Sequence, residues 1–267
     1  KIMWKKLGYG GLVLLLIYFI YAVFFKKIPT PLEQMQKDMK AKKVMYRLKD
    51  DAIIYADEQI GSEGDEVIRI KNVIVDLIKK KMLISGKEGE VNTKTSDVTL
   101  MKKVVGTTKD KKWEIYTERV DYKKQGDTLI SPVRTKLINT VDDTVSEADR
   151  VETTTKFEVI VATGHASYNN KKDKKTLTAD KITYHDPIKV SDAEGHVVYK
   201  EEQTKRELRA DRMRYDDINK IGNALGNVIY TDPENKLTGY KVDYYMKDER
   251  VDGQGNVVYT GRNSVIS

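Results

Sequence analysis

The sequence contains no cysteine. That excludes disulfides, thiol nucleophiles and thiolate metal sites, and it fits any redox compartment. Histidine, tryptophan, phenylalanine and proline are scarce, at 3, 2, 4 and 5 residues out of 267. No GxxxxGK[ST], HExxH or GxSxG segment occurs. The common nucleotide-binding, zinc-protease and serine-hydrolase signatures are therefore missing. Of the three histidines, His165 and His196 each follow a glycine, and equivalent later positions carry Asn227 and Asn256. Such a position reads as a polar turn, so no metal, cofactor or catalytic residue is expected.

What is present is charge, tyrosine and repetition. Lysine and arginine number 48 against 41 acids, giving a net charge of +7 that favours acidic partners only weakly. Tyr, Val, Ile and Thr suit a pleated, half-buried surface. Between residues 177 and 260 one pattern is written three times, opening at Leu177, Leu208 and Leu237. From each leucine a small residue falls at +2, an apolar one at +5, tyrosine at +7, glycine at +18, valine at +20 and tyrosine at +22. Fainter copies open near residues 146, 115, 84 and 54. In the copy at 115, Val133 stands where glycine is expected. A fixed period of this size marks stacked supersecondary units burying a shared core.

Each copy holds two strand regions separated by polar tips such as Asn169–Asp173 and Asp232–Asn235. The apolar parity changes between +2 and +5, which requires a bulge or corner at the same step in every copy. The prediction is an all-β fold of about seven two-strand repeats, or about fourteen strands wound into a roll. Asp180 and Asp211, recurring at +3, are placed to brace that corner. The basic runs Lys79–Lys81 and Lys171–Lys175 are expected at loop tips, where they would also attract anionic headgroups.

Ahead of the repeats, Leu7 to Phe25 is uncharged and flanked by Lys5-Lys6 and Lys26-Lys27. At about 1.5 Å per residue this stretch comes close to spanning a bilayer core, so an uncleaved single-pass anchor is expected over residues 1–28. Thr30-Pro31-Leu32-Glu33 predicts a capped helix start, with Leu32, Met35 and Met39 on one face to about Lys43, inside a linker of residues 29–45. The β-domain is expected over residues 46–267.

The repeated L-x-A-D-x-[IM]-x-Y and G-N-V-x-Y segments, carried by Ala210-Asp211 and by Gly226-Asn227-Val228 and Gly255-Asn256-Val257, resemble the periplasmic lipopolysaccharide-transport and organic-solvent-tolerance family. With an N-terminal anchor, the chain is most similar to the family's inner-membrane-anchored C component (LptC). The resemblance implies a twisted β-jellyroll, open along one side, with an apolar groove. It implies a non-catalytic role, in which the protein accepts lipopolysaccharide from an inner-membrane ABC transporter and passes it to a soluble periplasmic bridge protein. The alternative is an anchored envelope scaffold with a closed β-core and no lipid cargo. Groove candidates are Leu177, Ile182, Val197, Tyr199, Leu208, Met213, Val228, Tyr230, Leu237, Val242, Val257 and Tyr259. Asn256, Val257, Val258, Tyr259 and Thr260 form an uncapped edge strand, expected to pair with the bridge protein.

Overall fold

The structure is a computed structural model, which describes residues 29–48, 52–61, 64–248, 250–261 and 264–266. The expected anchor at residues 1–28 lies outside them. Among the described residues, no helix is long and apolar enough to cross a membrane.

The described chain has one α-helix, α1 (Pro31–Met39), two 3-10 turns at Ile78–Lys80 and Asp186–Ile188, and 20 strands. These are β1 (Val44–Leu48), β2 (Ala52–Ala56), β3 (Glu58–Ile60), β4 (Val67–Leu77), β5 (Met82–Asn92), β6 (Val98–Thr108), β7 (Trp113–Lys123), β8 (Thr128–Ser131), β9 (Thr135–Asn139), β10 (Thr144–Ala148), β11 (Arg150–Thr154), β12 (Val159–Asn170), β13 (Lys175–His185), β14 (Val190–Glu201), β15 (Arg206–Asp216), β16 (Ile221–Thr231), β17 (Asn235–Tyr245), β18 (Arg250–Gln254), β19 (Val258–Gly261) and β20 (Ser264–Ile266). Neighbouring long strands pair antiparallel in chain order. Four of these strands are interrupted at a corner, giving β2/β3, β8/β9, β10/β11 and β18/β19. With those halves joined, the chain makes fourteen long strands, with β1 and β20 added at the ends. The result is an all-β, jellyroll-like meander.

The corner forms where the parity change predicts it. Gly195-His196 bulges against β13 and β15, with register shifts at Thr178/Lys181 and at Glu194/Val197. Gly164, Gly195, Gly226 and Gly255 have φ of 73–78°, and the next residue, His165, His196, Asn227 or Asn256, has φ of 44–50°. Only glycine takes the first of these conformations without strain. Asp149, Asp180 and Asp211 lie across the bulge. They accept hydrogen bonds from the side chains of His165 (2.6 Å), His196 (2.8 Å) and Asn227 (2.9 Å). The aspartates thus brace the corner mainly through side chains rather than backbone groups. At Val133 the corner is held differently, by buried hydroxyls: Thr117 meets Ser131 at 2.8 Å, and Thr135 donates to Ser131 at 2.5 Å.

Because every long strand bends at mid-length, the sheet folds over on itself. Side chains on either side of the bend, such as Leu208, Ala210 and Met213, enter one continuous core. α1 starts with the predicted capping box, Thr30 and Glu33 bonding each other's backbone N–H groups. It ends at Met39, the last residue of its apolar face and short of the expected end near Lys43, and β1 begins at Val44. Its buried Leu32 and Met35 pack on Ile74 and Leu83, which point away from the main core. The helix therefore lies on the outer face of the sheet and spends its apolar stripe on its own domain.

Candidate functional site

The hairpin tips form two rows. In one, Thr140 N–H donates to the Lys112 carbonyl (2.9 Å), Lys171 N–H to Asp143 (3.2 Å) and Glu202 N–H to Lys174 (3.0 Å). In the other, Thr155 N–H donates to Asp127 (3.0 Å), Asp186 N–H to Glu158 (2.9 Å) and Asp217 N–H to Lys189 (3.0 Å). Each tip thus hangs on the preceding one. The two rows face each other across a slit that leads into the core.

Over the first half of the roll, this slit is closed. Lys80 pairs with Asp127 across it. Lys112 donates to Asp186 at 2.6 Å, and Lys189 approaches Asp142 at 3.8 Å. Beneath these pairs, Trp113 stacks on Phe157 with ring centroids 5.4 Å apart. Lys189 also donates to Asp186 at 2.7 Å and to the Tyr184 hydroxyl at 3.3 Å. Burial opposes the charge on both Asp186 and Lys189, but their partners outweigh it. The Asp186 carboxyl is held below its usual range and the Lys189 ammonium above its own.

Beyond these latches the rows part around a cleft of about 230 Å³. Its walls carry Leu177, Met213 and the tyrosines 168, 184, 199 and 215, and its rim carries Val141 and the lysines 172, 175 and 220 beside the aspartates 142, 173 and 217. Burial pushes the Tyr168 hydroxyl up to about 12, with Asp217 adding to the effect. Past the cleft the slit closes again. Arg206 donates to the Tyr244 hydroxyl at 2.5 Å, and the rings of Tyr230 and Tyr244 lie 6.1 Å apart.

The groove candidates sort into three groups. Leu177, Tyr199 and Met213 line the cleft directly. Ile182, Val197, Leu208, Val228, Tyr230 and Val242 are buried in the same core. Leu237 packs against that core, while Val257 and Tyr259 are half-buried at its end. The latch residues Lys112, Asp142 and Asp186 do not stand out in the sequence. One sequence signal does point to the cleft rim, the recurring tyrosine two residues before a tip acid, as in Tyr184-His185-Asp186 and Tyr215-Asp216-Asp217.

The C-terminal edge differs from the expectation. Val258 lies opposite Thr238, and Tyr259 and Thr260 take Ile266 and Val265 as partners on their other side. Asn256 and Val257 sit in the last corner, between β18 and β19. Among the described residues, the outward edge is therefore made by β18 and β20. No group of three or more His, Asp and Glu side chains suited to a metal occurs among the described residues.

No protein-family model matches the chain, and no curated protein does. One similar solved structure is that of LptH, the LptA homologous periplasmic component of the conserved lipopolysaccharide transport device from Pseudomonas aeruginosa. It is 16% identical, the match covers 46% of this chain and 92% of that one, and the TM-score is 0.38.

Proposed function

We propose that this chain is a membrane-anchored carrier that moves lipopolysaccharide through the interior of its β-roll. It accepts the lipid from an inner-membrane ABC transporter and hands it to a soluble periplasmic bridge protein. The carrying observation is the cleft between the tip rows, where apolar Leu177 and Met213 lie beneath a rim bearing Lys172, Lys175 and Lys220. Apolar walls under a charged rim that includes Lys172 suit an amphiphile with a polar, charged headgroup. The repeat motif's family resemblance supports the same reading, as does the apolar run at residues 7–25. Carrying a lipid needs no catalytic group, and the roll acts by binding alone. The handover surface is the edge that Arg250–Gln254 and Ser264–Ile266 form among the described residues, which extends the sheet to a second roll by backbone pairing.

The rival is a scaffold that binds only protein. Its support is the first half of the roll, where the core is filled up to the stacked Trp113 and Phe157. Mass spectrometry of gently extracted full-length protein separates the two. Acylated glycolipid retained by the folded protein supports the carrier, and its absence across all extraction conditions leaves the scaffold.

A further inference from the structure

Among the described residues, every lip tyrosine but one has a partner for its hydroxyl. Tyr184, Tyr215 and Tyr230 each donate to the carboxylate two residues on, at 3.2, 3.1 and 3.4 Å. Tyr168 bonds Asn170, also two residues on. Tyr244 is held by Arg206, and Tyr259 donates to Asn235 at 2.6 Å. Tyr199 is only 8% exposed, yet among the described residues its hydroxyl has no hydrogen-bond partner. The acid two residues on is Glu201, the one glutamate in this series, and it is engaged elsewhere. Its Oε2 accepts from Thr204 at 2.6 Å, and the carboxylate pairs with Lys175 at 3.4 Å and Arg206 at 3.7 Å. A buried hydroxyl left unpaired is costly, and sites that keep one gain by pairing it with a ligand.

Tyr199 is also a wall of the cleft, beside Leu177, Met213 and Tyr215. At about 230 Å³ the cleft falls below the ~300–1,000 Å³ usual for a drug-sized ligand, so it suits one chain rather than a cluster. Tyr199 stands three residues from the start of the tip at 202–205, near the lip. A hydrocarbon chain lying on Leu177 and Met213 would bring its first polar atom to that level. We propose that the Tyr199 hydroxyl donates a hydrogen bond to the carbonyl oxygen of an ester- or amide-linked acyl chain held in this cleft. The proposal rests on the carrier reading above, and it adds that the protein recognises the acyl linkage itself, not only the hydrocarbon.

Two probes test it: a dodecanoyl amide of an amino sugar, and the dodecyl ether of the same sugar, which lacks the carbonyl. Binding is measured by equilibrium dialysis on full-length protein in nanodiscs, with uptake by empty discs subtracted. The wild type should bind the amide about 3- to 10-fold more tightly than the ether, the range expected for one hydrogen bond. Tyr199→Phe should erase that preference without lowering the melting temperature of the ligand-free protein. Tyr122→Phe, which removes a hydroxyl bonded to Asp127 at 3.1 Å and away from the cleft, should keep it. Glu201→Asp supplies the shorter acid found at the other lips, gives Tyr199 an internal partner, and should erase the preference too. Equal binding of both probes by the wild type, or a preference that survives Tyr199→Phe, overturns the proposal and leaves the carrier reading standing. A drop in melting temperature for ligand-free Tyr199→Phe also overturns it, because the hydroxyl would then serve the fold. Failure of both probes to bind overturns the carrier reading itself.

Discussion

The two halves of the roll share one strand plan and finish it differently. In the first half, the residues bordering the slit are large and apolar: Leu77, Met82 and Phe157 are 0% exposed, and Leu137 is 1% exposed. The tip rows above them are tied by Lys80–Asp127 and Lys112–Asp186. In the second half, the slit is bordered instead by tyrosines, half-buried at 168, 184 and 215. Their rings supply apolar walls, and their hydroxyls need partners at the rim. A folded-over sheet is thus a core or a cleft according to the side chains that border its slit. The backbone corner that bends each strand is common to both outcomes.

The largest effect should come from removing volume in each half. Leu77→Ala takes atoms from a site with no free space and should cost about 3–5 kcal/mol in chemical denaturation. Leu177→Ala removes atoms that already face the cleft, so it should cost about 1–2 kcal/mol, mostly lost transfer energy. Equal losses would show that the second half is as tightly filled as the first.

Next in size is the latch between the halves. Asp186→Ala leaves Lys112 and Lys189 without their shared carboxylate and should cost about 2–3 kcal/mol. It should also lengthen the open part of the slit, raising accessibility at Trp113 to a fluorescence quencher. Acid should reproduce this in the wild type. The folded Asp186 pKa is depressed, so its stabilisation is present above the unfolded value near ~3.9 and is lost as pH falls through the lower folded value. Quenching that is unchanged in the variant would mean that the rows are held by stacking alone.

Gly226→Ala comes third. It places a Cβ in a left-handed backbone conformation, 2.3 Å from Asp211 Oδ2. The expected cost is about 1–2 kcal/mol. Asp211→Ala in the same chain should recover the part due to the clash and leave the backbone part. Gly86, whose φ is not positive, occupies a different corner in the first half, and Gly86→Ala tests whether that half bends without a left-handed glycine.

The second half is readable in sequence because it uses glycine and tyrosine at fixed offsets, and their spacing forces a corner in every strand. The first half gives a weaker signal for physical reasons. Its corners employ Lys102-Lys103 and the Thr117–Ser131–Thr135 hydroxyls, neither of which spells glycine. The latches leave no local trace, since Lys112 and Asp186 are 74 residues apart and meet only when the rows face each other. The covered end strand escapes a sequence reading for another reason: Val258 to Thr260 alternates like a free edge, and nothing local announces that Ser264–Ile266 folds back onto it. The exceptional hydroxyl of Tyr199 is hidden in plain text, because Tyr-Lys-Glu differs from Tyr-His-Asp at the acid by a single methylene, and only the packing shows where that extra reach goes.

The smallest effect separates corners that look alike within the second half. Gly195-His196 and Gly226-Asn227 share a backbone, yet one brace can titrate and the other cannot. His196 donates to Asp180 at 2.8 Å, and that hydrogen bond, together with the aspartate's charge, raises the histidine pKa. A raised folded pKa gives stabilisation that is complete below the unfolded value near ~6.5 and vanishes as pH climbs through the folded value. His196 is solvent-exposed, so screening keeps the effect small. The wild-type melting temperature should therefore decline slightly between mildly acidic and mildly alkaline pH. His196→Asn copies the next corner, keeps an amide to meet Asp180, and should flatten that part of the profile while leaving the alkaline value unchanged. A variant that loses stability equally at every pH would show that the imidazole works through packing and shape, and that the corners differ in more than charge.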